Sequence, residues 1–132
     1  MAVSLPTPVG TLSILIVEDE PDLAEALAHT LGRAYEVAIA NSVGQARAAI
    51  ARQHFDAVIT DFNLGGETAQ ELLMELATKQ PDVRRILCSG IQWWTANAIV
   101  ERGLVHCAIP KPGTTEQLMA SLTDELTNDR RS

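Results

Sequence analysis

Along residues 13–127 the chain alternates short unbroken aliphatic runs with longer stretches whose apolar residues recur every three or four positions. The first run, Ser13–Val17 (Ser-Ile-Leu-Ile-Val), has no polar alternation and ends in acids, the pattern of a strand covered on both faces in a parallel sheet. Pro21 suits the first turn of a helix on which Leu23, Leu27 and Leu31 share one face with Ala24 and Ala28, and Gly32 stops it. The unit then recurs. A strand is predicted over residues 35–40, and Ser42 caps a helix carrying Val43, Ala46 and Ile50. Residues 56–60 form the third strand, a turn at Gly65-Gly66 follows, and Leu72, Leu73, Leu76 and Ala77 mark the third helix. The fourth strand spans residues 85–89 and the fourth helix residues 95–102, with its stop at Gly103. The fifth strand covers residues 105–109, and the last helix, residues 115–127, has Leu118, Leu122 and Leu126 on one face.

Five strands alternating with five helices leave few topologies, because a crossover between parallel strands is almost always right-handed. The expected fold class is α/β: a doubly wound five-stranded parallel sheet in the order 2-1-3-4-5, the flavodoxin-like arrangement, with five helices. Residues 1–12 carry two prolines and a glycine without periodicity and read as a flexible lead-in. Residues 13–127 read as one domain and residues 128–132 as a polar tail. No internal repeat or low-complexity tract competes with this division.

A composition of 46% hydrophobic and only 4% aromatic residues favours helices packed on a short aliphatic sheet over a β-sandwich. The formal net charge of -7 repels nucleic acid and anionic membrane surfaces, so direct binding to either is excluded from the expected functions. No apolar run reaches the roughly 20 residues needed to span a bilayer, and the first ten residues lack the features of a signal peptide, so a cytoplasmic location is expected. Cys88 and Cys107 lie within apolar runs and read as small hydrophobes, not as a disulfide or metal pair. His29, His54 and His106 share no metal spacing and read as surface or satisfied histidines.

In an open α/β sheet, ligands bind outside the carboxyl ends of the strands, where the strand order reverses. That rim receives Glu18 and Asp19 from the first strand, Asp61 from the third, Ser89 from the fourth, and Lys111 just beyond the fifth. Three carboxylates so close would repel one another or take up protons unless a cation sat among them. Mg²⁺ is the expected cofactor, since it takes one or two protein carboxylates, keeps several waters and accepts a phosphate oxygen. Lys111 offers a compact positive charge for the anion beside it, and Ser89 a hydroxyl. A carboxylate nucleophile needs little beyond alignment and charge neutralisation to take a phosphoryl group, whose charge is spread over three equatorial oxygens. Singly, each residue has a bland explanation as helix lead-in, cap or turn; their joint order on one rim is what points to chemistry.

Four segments, Ile14-Leu-Ile-Val-Glu-Asp-Glu20, Val58-Ile-Thr-Asp-Phe-Asn-Leu64, Leu87-Cys-Ser-Gly90 and Pro110-Lys-Pro112, resemble the motifs of response-regulator receiver domains of two-component signalling. The resemblance spans nearly all of residues 13–127. It implies that Asp61 is the phosphoacceptor and that Glu18, Asp19 and Asp61 hold Mg²⁺ with the main-chain carbonyl of Asn63. It further implies that Ser89 and Lys111 meet the phosphoryl oxygens. The implied donor is a histidine kinase or histidine phosphotransfer protein. The implied output is an output protein, or a second copy as a homodimer, bound through the face of the fourth helix, fifth strand and fifth helix. Such a domain is not an enzyme beyond its own phosphorylation and dephosphorylation.

Three departures from the family pattern bear on readout. Ala108 stands three residues before the lysine, where many receivers carry an aromatic ring that turns inward on activation. Leu64-Gly65-Gly66 replaces the usual Leu-Pro-Gly and is expected to form a looser turn, and Gly113 stands where an aromatic is common. Trp93-Trp94 is unusual in so aromatic-poor a chain; adjacent helical residues point about 100° apart, so one ring is expected to be exposed and available to a partner. Two competing functions remain at this stage. A small Mg²⁺-dependent phosphatase-like enzyme would use the same Asp61, but Asn63 stands where its second acid belongs. A constitutive protein-binding scaffold suits Ala108, though not the intact acids and lysine.

Overall fold

The elements follow the hydrophobic rhythm closely. The computed structural model describes residues 12–90 and 93–110, with Ala120 and Asp124 beyond them, both helical. In chain order they form β1 (Ser13–Val17), α1 (Pro21–Leu31), β2 (Glu36–Ala40), α2 (Val43–Arg52), β3 (Ala57–Thr60), β4 (Asn63–Leu64) and β5 (Glu67–Thr68), then α3 (Gln70–Lys79), β6 (Arg84–Ser89), α4 (Trp93–Glu101) and β7 (Cys107–Pro110). The five longer strands pair in parallel in the order β2-β1-β3-β6-β7, which is the expected 2-1-3-4-5. The predicted fifth helix lies outside the described residues except at Ala120 and Asp124.

Strand alternation divides the core in two. Leu15, Val17, Val58 and Leu87 face one way and pack with Val43 and Ala46 of α2, Leu72, Leu73 and Leu76 of α3, and Ile99 of α4. Ile14, Ile16, Ala57, Ile59, Ile86 and Cys88 face the other way, against Leu27 and Leu31 of α1. The topology explains the split. The chain leaves β1 in one direction to reach β2 and then reverses to β3, β6 and β7; with right-handed crossovers throughout, that reversal moves the helices to the opposite face. The reversal falls between β1 and β3, and there the sheet leaves its ligand-binding crevice.

Local chemistry sets the ends. Pro21 opens α1 as expected, and the Ser42 hydroxyl accepts the Gln45 N–H at 3.1 Å at the start of α2. At the end of α4, Leu104 N–H reaches the Ile99 carbonyl and Gly103 N–H the Val100 carbonyl, with Gly103 at φ +80. This is the Schellman closure that the sequence stop at Gly103 anticipates. The last strand begins two residues later than expected. His106 is joined to Arg85 by its own N–H, donated to the Arg85 carbonyl, and by its Nδ1, which accepts the Arg85 N–H at 2.9 Å. A side chain thus serves where a strand residue would, and regular pairing starts at Cys107.

Two features were not anticipated. Arg85, only 6% exposed, sends its guanidinium to the carbonyls of Pro81, Val83, Gly103 and Leu104. Burial, with the Arg84 charge nearby, lowers its pKa from the ordinary arginine value. The second is the hairpin of β4 and β5, whose two-residue loop has Gly65 at φ +55 and Gly66 at φ +94. Positive φ at both central positions is the requirement of a type I′ turn, the tightest hairpin connection. The Gly-Gly step is therefore a correction to the looser turn expected from it: glycine permits a tight loop here where proline could not enter the required conformation.

Candidate metal centre

The site is assembled by strand ends. Val17 and Thr60 are neighbours in the β1–β3 register, so the residues after them, Glu18-Asp19 and Asp61, emerge side by side at the reversal of strand order. Asp61 N–H donates to the Val17 carbonyl at 3.2 Å, and Glu18 N–H donates to the Ala40 carbonyl at 2.9 Å. These bonds carry the sheet's regularity one residue past each strand and fix where the acids begin. Thr60, fully buried, donates its hydroxyl to the Asp61 carbonyl at 2.7 Å.

Carboxylate oxygens of Glu18, Asp19 and Asp61 lie within 4.8 Å of one another. Glu18 is 3% exposed, and its Oε2 accepts the Glu20 N–H at 3.2 Å. Asp61 is half-buried, and its Oδ1 accepts the Asn63 N–H in a long contact of 3.4 Å. Three anionic oxygen donors at this spacing, one of them taken out of water, repel one another, and a hard divalent cation among them removes that cost. The donor set contains oxygen alone, which suits Mg²⁺ and not a soft metal. The residues present fit that ion.

The hairpin borders the cluster. A methyl group at Gly65 would stand 3.5 Å from Asp19 Oδ2, so the tight β4–β5 loop runs directly beside the carboxylate. On the other flank, Ser89 pairs with Pro110 at the ends of β6 and β7, which brings the chain position preceding Lys111 to the same rim. The Ser89 hydroxyl, Lys111 and the rings of Trp93 and Trp94 lie outside the described residues. Ala108 is half-buried and packs against the core beneath α4.

Sequence reasoning passed over one contributor. Asn41 follows β2, and its side-chain amide donates to the Glu18 carbonyl at 2.9 Å. Its signal was present: Asn41-Ser42 followed by Gln45 has the spacing of a capping box, and Gln45 Oε1 accepts the Asn41 N–H at 2.8 Å. The remaining singled-out residues have ordinary surroundings. Cys88 is buried and Cys107 half-buried, and the two are not joined in a disulfide. His29 is exposed, and His54 is exposed with its Nε2 3.8 Å from Asp56.

Comparison with known proteins agrees with this geometry. The family described as "Response regulator receiver domain" matches residues 14–123. The hydrogenase transcriptional regulatory protein HoxA of Cupriavidus necator is 33% identical over 78 residues, which cover 59% of this chain and 16% of HoxA. The alginate biosynthesis transcriptional regulatory protein AlgB of Pseudomonas putida is 29% identical over 117 residues, 86% of this chain and 25% of AlgB. The chain thus spans a quarter or less of the length of these relatives. Among solved structures, the CheY-like response regulator receiver domain protein of Methanospirillum hungatei shares the fold with a TM-score of 0.83 at 23% identity, over 92% of this chain and 98% of that one. The family match runs from β1 past β7 and takes in all three clustered acids, so the chain belongs to the response regulator receiver domain family.

Proposed function

We propose that this domain accepts a phosphoryl group on Asp61 from a phosphohistidine donor, a histidine kinase or histidine phosphotransfer protein, and passes the change to a protein partner. The observation that carries the reading is the convergence of the Glu18, Asp19 and Asp61 carboxylates at the point where strand order reverses. A carboxylate oxygen of Asp61 attacks phosphorus, the phosphorus–nitrogen bond of the donor breaks, and the imidazole leaves with its electron pair as an acyl phosphate forms. Glu18, Asp19 and Asp61, with the Asn63 carbonyl, would hold Mg²⁺. When bound, the ion neutralises charge on the transferring oxygens and among the acids. Lys111 and Ser89 take up phosphoryl oxygens, a role supported by the Ser89–Pro110 pairing. Water later cleaves the acyl phosphate, so the domain turns over only its own modification.

Readout uses the face of α4, β7 and the fifth helix, with Trp93 or Trp94 as a contact. With Ala108 in place of a ring, the two-state equilibrium is biased through the Ser89 and Lys111 contacts without an aromatic rotamer. Among the described residues no helix is long and apolar enough to cross a membrane, and a cytoplasmic location is part of the same proposal.

The test is stoichiometry. Incubation with acetyl phosphate and Mg²⁺ should give one hydroxylamine-labile phosphoryl per chain and no sustained release from p-nitrophenyl phosphate. Many turnovers on the ester would show a phosphatase instead.

A further inference from the structure

We propose that Asn41 is a positioning residue for the metal centre: its side-chain amide fixes the Glu18–Asp19 peptide and thereby sets the aim of both acids. The inference rests on reading the acid cluster as a Mg²⁺ site. The β1–β2 ladder ends at the pair Val17 and Ala40, and Glu18 N–H still donates to the Ala40 carbonyl at 2.9 Å. A continuing parallel ladder would next bring a main-chain N–H to the Glu18 carbonyl. Here the chain turns instead into α2 at Ser42, and Asn41 Nδ2 takes that place at 2.9 Å. A side chain thus adds one rung to the sheet at the residue from which the buried acid projects.

Asn41 is itself gripped. Its N–H donates to Gln45 Oε1 at 2.8 Å, and Gln45 N–H donates to Ser42 Oγ at 3.1 Å, so the first turn of α2 holds the residue that holds the Glu18 carbonyl. The opposite side of the same strand end is fixed by Asp61 N–H on the Val17 carbonyl. Without the Asn41 amide, the Glu18 carbonyl loses its bond to the first turn of α2. The two carboxylates must then be ordered when the ion binds, and part of the binding free energy goes into that ordering. The amide touches a carbonyl, not a carboxylate, so its effect falls on metal affinity and leaves the nucleophile itself unaltered.

The experiment titrates Mg²⁺ alone, by calorimetry, into the wild type, Asn41→Ala and the shape-matched Asn41→Leu. Val83→Ala, a core truncation at the opposite rim, serves as a stability control. The Mg²⁺ dissociation constant should rise roughly tenfold in both Asn41 variants and stay within about twofold of wild type in Val83→Ala. With acetyl phosphate as donor, the labelling rate at saturating Mg²⁺ should be unchanged, the loss showing only as a higher Mg²⁺ requirement. If Asn41→Ala does not fold, Asn41→Leu carries the comparison. Wild-type Mg²⁺ affinity in a folded Asn41 variant overturns the inference and leaves the metal site standing. Failure of the wild type to bind Mg²⁺ overturns the reading of the site and this inference together.

Discussion

Glu18 is the residue at which stability and function are most directly opposed. Its carboxylate is buried beside two others, an arrangement that costs free energy until a cation arrives. Glu18→Gln keeps the shape and an acceptor for the Glu20 N–H while removing one charge. In the absence of Mg²⁺ this variant should be more stable than wild type by about 1 kcal/mol in urea unfolding, and its Mg²⁺ affinity should fall at least tenfold by roughly the same charge argument. A variant that is less stable and binds Mg²⁺ normally would mean that Glu18 is a structural acid. The identities of the acids were legible in the sequence because polar residues ending aliphatic strands are conspicuous. Asn41 was not, because its importance depends on a single hydrogen bond across neighbouring strands, and an asparagine before a cap has a sufficient local explanation.

At the scale of elements, strand and helix positions were readable wherever periodicity alone decides them, as in β1, whose bounds match the expectation residue for residue. Misses occur where side chains or turn geometry intervene. The start of β7 is displaced by the His106 imidazole, and the Gly65-Gly66 step encodes a hairpin that composition alone reads as slack. Arg85 is the clearest case: an Arg-Arg pair opening a strand reads as exposed, yet the second guanidinium is buried under four carbonyls that join the end of α4 to the segment before β6. Arg85→Met fills much of the same volume but donates nothing. It should lower stability by about 2–4 kcal/mol, chiefly from carbonyls left without donors. Hydrogen exchange should show the loosening concentrated at residues 99–104, and unchanged exchange there would show that the carbonyls find other partners.

For the whole molecule, the doubly wound topology places two aliphatic cores on either side of one sheet and leaves the acids at the crevice between β1 and β3. Binding and folding are then linked, since the unfolded chain does not bring Glu18, Asp19 and Asp61 together. Mg²⁺ at about a hundred times its dissociation constant should raise the unfolding free energy by ~2.7 kcal/mol, and Asp19→Ala should lose that increment. Stabilisation that persists in Asp19→Ala would place the ion elsewhere. The most direct test of the central claim is to locate the phosphoryl group. After incubation with acetyl phosphate and Mg²⁺, borohydride reduction converts an aspartyl phosphate to homoserine, which peptide mass spectrometry assigns to one position. The account predicts homoserine at residue 61 in the wild type, and no labelling in Asp61→Asn or when Mg²⁺ is chelated. Homoserine at residue 19, or equal labelling of Asp61→Asn, would contradict it.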